Sequence, residues 1–76
     1  MGKRQIRIPG FKLQEHVMEL LSRQAVQVVL RSRVVVPGKV LHTSPETITL
    51  QDMRRNKHVF PTEQIQEIIY DVEADW

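Results

Sequence analysis

Between Ala25 and Tyr70 the apolar residues fall mostly on alternate positions, the period of strands whose side chains face two sides in turn. Ala25–Ser32 puts Val26, Val28 and Leu30 on one face. Val34–Thr43 is long and β-branched, with Pro37-Gly38 in its middle. Proline donates no ladder hydrogen bond, and a glycine inside a strand marks a bend or a close backbone approach. This strand is therefore predicted to bend at Gly38 and serve two sides of a small barrel. Thr47–Met53 turns Ile48 and Leu50 inward and Thr47, Thr49 and Gln51 outward. Lys57–Phe60 is a short strand stopped by Pro61, and Ile65–Tyr70 is the last. The connections are Ser44-Pro45-Glu46, the polar tip Arg54-Arg55-Asn56, and Thr62-Glu63-Gln64.

Ahead of Ala25 the period changes. Leu13, Val17, Leu20, Leu21 and Gln24 form a helical stripe, with Lys12, Gln14, Glu15, His16, Glu19 and Ser22 on the polar side. The spacing predicts a helix over 11–23. Residues 1–10 are short and basic and end in the breaker Pro9-Gly10, so they read as an arm. Residues 71–76 read as an acidic tail. The predicted fold is mainly β: a domain over 11–70 with an N-terminal α-helix and five strands within 25–70. Short turns and strong bends suit a small SH3-like barrel.

Composition narrows the classes. At 76 residues the chain holds one core, and with 41% hydrophobic and 26% charged residues it matches globular proteins rather than disordered ones. It has no cysteine, so neither disulfides nor thiolate metal sites support it. His16, His42 and His58 show no ligand spacing, and no metal or cofactor is expected. Of the usual supports for a small domain, self-association is left. No apolar run reaches the roughly 18 residues of a membrane span, and no signal peptide follows Lys3, Arg4 and Arg7, so a cytoplasmic protein without a membrane partner is expected.

The net charge of +2 hides a split. Residues 1–38 carry seven Lys/Arg against Glu15 and Glu19, hence +5; residues 39–76 carry four against seven acids, hence −3. The basic half can attract a polyanion or meet the acidic half of another copy. Enzyme chemistry finds no foothold. Ser22, Ser32 and Ser44 have no base that spacing pairs with them, Glu63 and Glu67 read as surface carboxylates, and there is no phosphate-cradling glycine loop. No small-molecule substrate is expected.

Val26, Val28, Leu30, Val34, Val36, Gly38, Val40, Ile48, Leu50 and Asp52 fit the first Sm motif without a gap. Together with the lead-in Leu20-Leu-Ser-Arg-Gln-Ala-Val-Gln-Val28, they make residues 12–70 resemble the Sm-like family, which includes Lsm proteins and the RNA chaperone Hfq. The resemblance implies a bent five-stranded barrel, a homo-oligomeric ring of about five to seven copies, and binding of single-stranded RNA. In such rings the fourth strand of one copy pairs with the fifth of the next, which here implies an interface of His58, Val59, Phe60, Ile65, Ile68 and Tyr70. Against the family's RNA motifs the chain departs. The turn that carries Asp-x-φ-Met-Asn or Asp-Gln-Phe reads Ser44-Pro45-Glu46-Thr47. Lys57-His58 lies three residues ahead of the register of Hfq's Tyr-Lys-His, which falls on Phe60-Pro61-Thr62. Val29 and Pro37 stand where the adenine-binding face has tyrosine and glutamine, and Arg23 alone remains of the basic rim.

The candidate RNA contacts are accordingly Ser44 and Pro45 in the divergent turn, Arg54, Arg55 and Lys57 at the hairpin tip, and His58 and Phe60 beside it. An alternative is an Sm-like ring that acts as a protein scaffold and has lost RNA binding. A monomeric SH3-like adaptor is disfavoured by the scarcity of surface aromatics for a peptide groove.

Overall fold

Gly38 divides the sheet. The computed structural model describes residues 2–74. In it Gly38 pairs with Val26 on one side and Asp52 on the other. The first part of the strand Val35–Thr43 (β3) is hydrogen-bonded to Val26–Leu30 (β2), and the second part to Thr47–Asp52 (β4). One strand thus serves both sides of the curl, as the Pro37-Gly38 signal predicted. A Cβ at position 38 would overlap the carbonyl oxygen of Gln51, so only glycine lets β4 approach this closely. Register shifts between Val29 and Leu30 and between Val40 and His42 add to the bending.

Lys57–Pro61 (β5) and Ile65–Ala74 (β6) complete the predicted strands, separated by the one-turn 3-10 helix Thr62–Gln64. A sixth strand lies where an arm was expected. Gly2–Pro9 (β1) runs antiparallel along β6 from Gly2 opposite Ala74 to Pro9 opposite Glu67. The six strands form one antiparallel sheet in the order β1-β6-β2-β3-β4-β5. Sequence reasoning gave residues 1–10 to an arm because Pro9-Gly10 and the charges mask a short alternation. Ile6 and Ile8 face the core while Gln5 and Arg7 face outward, and Ile8 is 2% exposed. The acidic tail changes in the same way: residues 71–74 continue β6, and residues 75 and 76 lie outside the described residues.

Basic β1 lies along acidic β6, and the Arg7 guanidinium is 3.3 Å from the Glu67 carboxylate, an ion pair within the chain.

The helix expected over 11–23 is two pieces, a 3-10 helix Gly10–His16 and a short α-helix Val17–Ser22 (α1). Leu13 and Leu20 of the predicted stripe are buried, and Leu21 packs against the core. The first piece winds tightly because it is held at both sides. Gly10 sits against the Ile65 carbonyl, and the Gln14 amide donates to the Ser44 carbonyl at 2.8 Å. The second piece is pinned by Tyr70, whose hydroxyl donates a short hydrogen bond to Glu19. That bond, followed by the one from His16, holds the Glu19 carboxyl below its ordinary range. Burial, then the Glu19 carboxylate, pushes the Tyr70 hydroxyl up. The Arg23 guanidinium lies over the face of the Tyr70 ring, 5.0 Å from its centroid.

The core draws on β1, β2, β3, β4 and β6: Ile8, Val28, Val40, Ile48, Leu50, Ile65 and Ile68 lie at 2% exposure or less. Among the described residues no helix is long and apolar enough to cross a membrane.

Candidate nucleic-acid interface

Asp52, the last residue of β4, builds the β4–β5 tip. Its Oδ1 accepts the backbone N–H groups of Arg54 at 2.8 Å and Asn56 at 2.9 Å, an Asx-type closure of the turn. Its backbone joins in, with Arg55 N–H donating to Asp52 O at 3.0 Å and Asp52 N–H to Asn56 O at 2.9 Å. Arg55 takes the left-handed conformation, φ 67°, that the tight tip requires. The second carboxylate oxygen accepts from His58 Nε2 at 2.7 Å. This hydrogen bond, and after it the one from Asn56, holds the Asp52 carboxyl below its usual range.

A cluster of cations is thereby presented on a fixed loop. Arg54, Arg55 and Lys57 are exposed, and none of the three forms an ion pair among the described residues. Beside them the His58 and Phe60 rings lie parallel, 4° apart in plane and 5.9 Å between centroids, both half-buried on the β5 face that lies opposite Leu50 and Ile48, with Phe60 packed against the core. Cations that can reach phosphate thus adjoin a ring pair whose exposed part is mainly the His58 side.

Ser44 and Pro45 are elsewhere. They lie beyond the opposite end of β4, whose six residues separate the two turns by about 17 Å. Ser44 Oγ is spent on its own turn, accepting from Thr47 N–H at 3.0 Å and lying 3.1 Å from Thr47 Oγ1. Thr62 Oγ1 donates to the carbonyls of Pro45 at 3.1 Å and Glu46 at 3.2 Å, tying the 44–47 turn to the 61–63 turn. The shallow cleft between these turns is lined by Glu46 and Glu63, which repel phosphate. The seven candidate RNA residues therefore divide into a basic group of five and a separate turn with acidic neighbours.

The candidate interface residues also divide. Val59 is 62% exposed, and the outer edge of β5 has no strand partner among the described residues. By contrast Ile65, Ile68 and Tyr70 are buried in the subunit's own core, and β6 lies between β1 and β2. The edge that a neighbour's β5 would join is already taken by β1, the strand that sequence reasoning read as an arm.

Two features had no part in the sequence reading. Asp52 as organiser of the tip could have been found in the spacing Asp52-x-x-x-Asn56, which is turn chemistry. A second cleft, on the outer face of β1, β6 and β2, depends on β1 and so left no signal. Neither a family model, nor a curated protein, nor a solved structure matches the chain.

Proposed function

We propose that this chain is an Sm-like module that binds single-stranded RNA through the β4–β5 tip. The observation that carries this reading is the Asp52-ordered tip, which displays Arg54, Arg55 and Lys57 without an ion-pair partner among the described residues, next to the parallel rings of His58 and Phe60. The cations capture the backbone, and shallow ring contacts add affinity for bases without reading sequence. No covalent chemistry is involved. The strongly bent sheet, with Gly38 shared between two strand pairings, supports the Sm-like barrel as the scaffold.

Self-association belongs to the same reading, with the contact moved. With β6 occupied, the unpaired edges among the described residues are the outer sides of β5 and β1. In a six-stranded antiparallel sheet these two strands run in opposite directions. A β5 of one copy can therefore continue antiparallel onto β1 of the next with the same face inward. Such a head-to-tail contact closes into a ring when the rotation permits, and the Sm-like resemblance implies about five to seven copies.

The acidic cleft between the 44–47 and 61–63 turns favours a second reading, a ring that serves as a protein scaffold without RNA. Titration of the full chain against a labelled single-stranded oligonucleotide at about 50 mM salt, where phosphate contacts are strongest, separates the two. Saturable binding is expected, and its absence would hand the protein to the scaffold reading.

A further inference from the structure

One side chain at the β4–β5 tip is of the type that changes charge near neutral pH. Histidine gains and loses its proton between about pH 5 and pH 8. The His58 ring donates from Nε2 to Asp52 Oδ2 at 2.7 Å. The Asp52 carboxyl is held low, first by this bond and then by the one from Asn56, so it is ionised and only accepts. Nε2 therefore keeps its hydrogen, and Nδ1 of the neutral ring is a bare acceptor. Among the described residues Nδ1 has no hydrogen-bond partner, and 40% of the side chain is open to solvent. A bare acceptor repels a phosphate oxygen. In the protonated ring Nδ1 is a donor and the side chain is a cation.

We propose that His58 makes strand capture pH-dependent: its protonation adds a cation beside Arg54, Arg55 and Lys57, and the chain grips single-stranded RNA more tightly at about pH 6 than at about pH 8. This rests on the single-strand-binding reading above and concerns the regulation of that site. The groups around the ring are few. From β4 come Asp52 and, opposite in register, the apolar Leu50. The tip supplies Arg54 and Arg55, and β5 itself supplies Lys57, with Phe60 stacked alongside. Arginine and lysine stay charged across this window, and so does an aspartate held low. The tip thus carries three positive charges against one negative until His58 adds a fourth. Protonation does not unlatch the turn. It converts the hydrogen bond to Asp52 into an ion pair, and so reinforces the carboxylate that orders the Arg54 and Asn56 backbone. The other two histidines provide controls: His42 lies opposite Thr49, and His16 bonds Glu19 in the helical segment.

The test measures the affinity of the full chain for labelled oligo-U without terminal phosphates, at about 50 mM salt and at about pH 6 and about pH 8. Binding is expected to tighten about fivefold at the lower pH. The slope of log affinity on log salt should steepen by about 0.7, the share of one further phosphate contact on a single strand. His58→Gln keeps an amide donor for Asp52 but takes up no proton, and should make both quantities equal at the two pH values. His42→Gln combined with His16→Gln should leave the tightening in place. Equal affinity at both pH values in the unaltered protein would overturn the switch and leave the tip standing as the RNA site. So would a tightening that survives His58→Gln, or one that disappears in the His42 and His16 double variant. Failure to bind at either pH would overturn the RNA reading itself, and the switch with it.

Discussion

His58 donates from Nε2 to Asp52 Oδ2 at 2.7 Å, and the other oxygen of the same carboxylate holds the backbone of Arg54 and Asn56. One ionised side chain therefore fixes the tip that carries the cations. Asp52 and Glu19 both have carboxyls held below their ordinary values of 3.8 and 4.5, so the folded state favours their charged forms. Their contribution is complete above the ordinary carboxylate range and is lost as pH falls through the depressed folded values. Tyr70 is raised above 10.0, so its contribution is complete below that value and is lost as pH climbs past it. Thermal melts should show a plateau between about pH 5 and pH 9 with falling limbs on either side. Asp52→Asn combined with Glu19→Gln should lower the plateau and flatten the acid limb. An acid limb unchanged in the double variant would remove these two carboxylates from the stability of the fold.

Gly38→Ala sets a methyl group against the Gln51 carbonyl, which is backbone and cannot rotate away. Overpacking of this kind costs about 3 kcal/mol, a large share of the margin of a small domain. Denaturant unfolding should report that loss. A variant as stable as the parent would mean that β3 does not bend tightly around β4.

Ile8→Ala distinguishes a strand from an arm. In the sheet Ile8 is 2% exposed, and its truncation should cost about 3 kcal/mol, within the range for buried isoleucine. In a solvated arm the same change would cost almost nothing. Hydrogen exchange gives an independent reading, with slow amides expected along Gln5–Ile8 wherever they bond to β6.

These two variants also mark how far the sequence could be read. The five strands between Val26 and β6, the inward pairs Val26/Val28 and Ile48/Leu50, and the bend at Gly38 were legible because β-branched alternation and a mid-strand glycine are local signals. The sixth strand was not. Its pairing joins residues 58 to 72 positions apart, and its alternation covers only Ile6 and Ile8 among basic neighbours. With β6 between β1 and β2, Ile65, Ile68 and Tyr70 lie in the subunit's own core, a placement that local alternation does not reveal. At the candidate site, the local cluster Arg54, Arg55, Lys57, His58 was found by composition. The separation of Ser44 and Pro45 from it required knowing which way β4 runs.

Light scattering on the full chain tests self-association. A ring through β5 and β1 predicts a particle about five to seven times the 8.9 kDa subunit, the count that the Sm-like resemblance implies. Val59→Lys puts a charge on the open β5 edge and should dissociate it without unfolding the subunit. A particle of 8.9 kDa for the unaltered protein would remove the ring.

The salt dependence of binding to a single strand, measured for the unaltered chain and for Arg54→Ala with Arg55→Ala, bears most directly on the tip as an RNA-binding site. Three phosphate contacts predict a slope of log affinity on log salt of about −2, and removal of two should leave about −0.7. Affinity at about 50 mM salt should fall for every sequence alike, since backbone contacts carry no sequence information. An unchanged slope and affinity in the double variant would contradict the assignment of RNA binding to the β4–β5 tip.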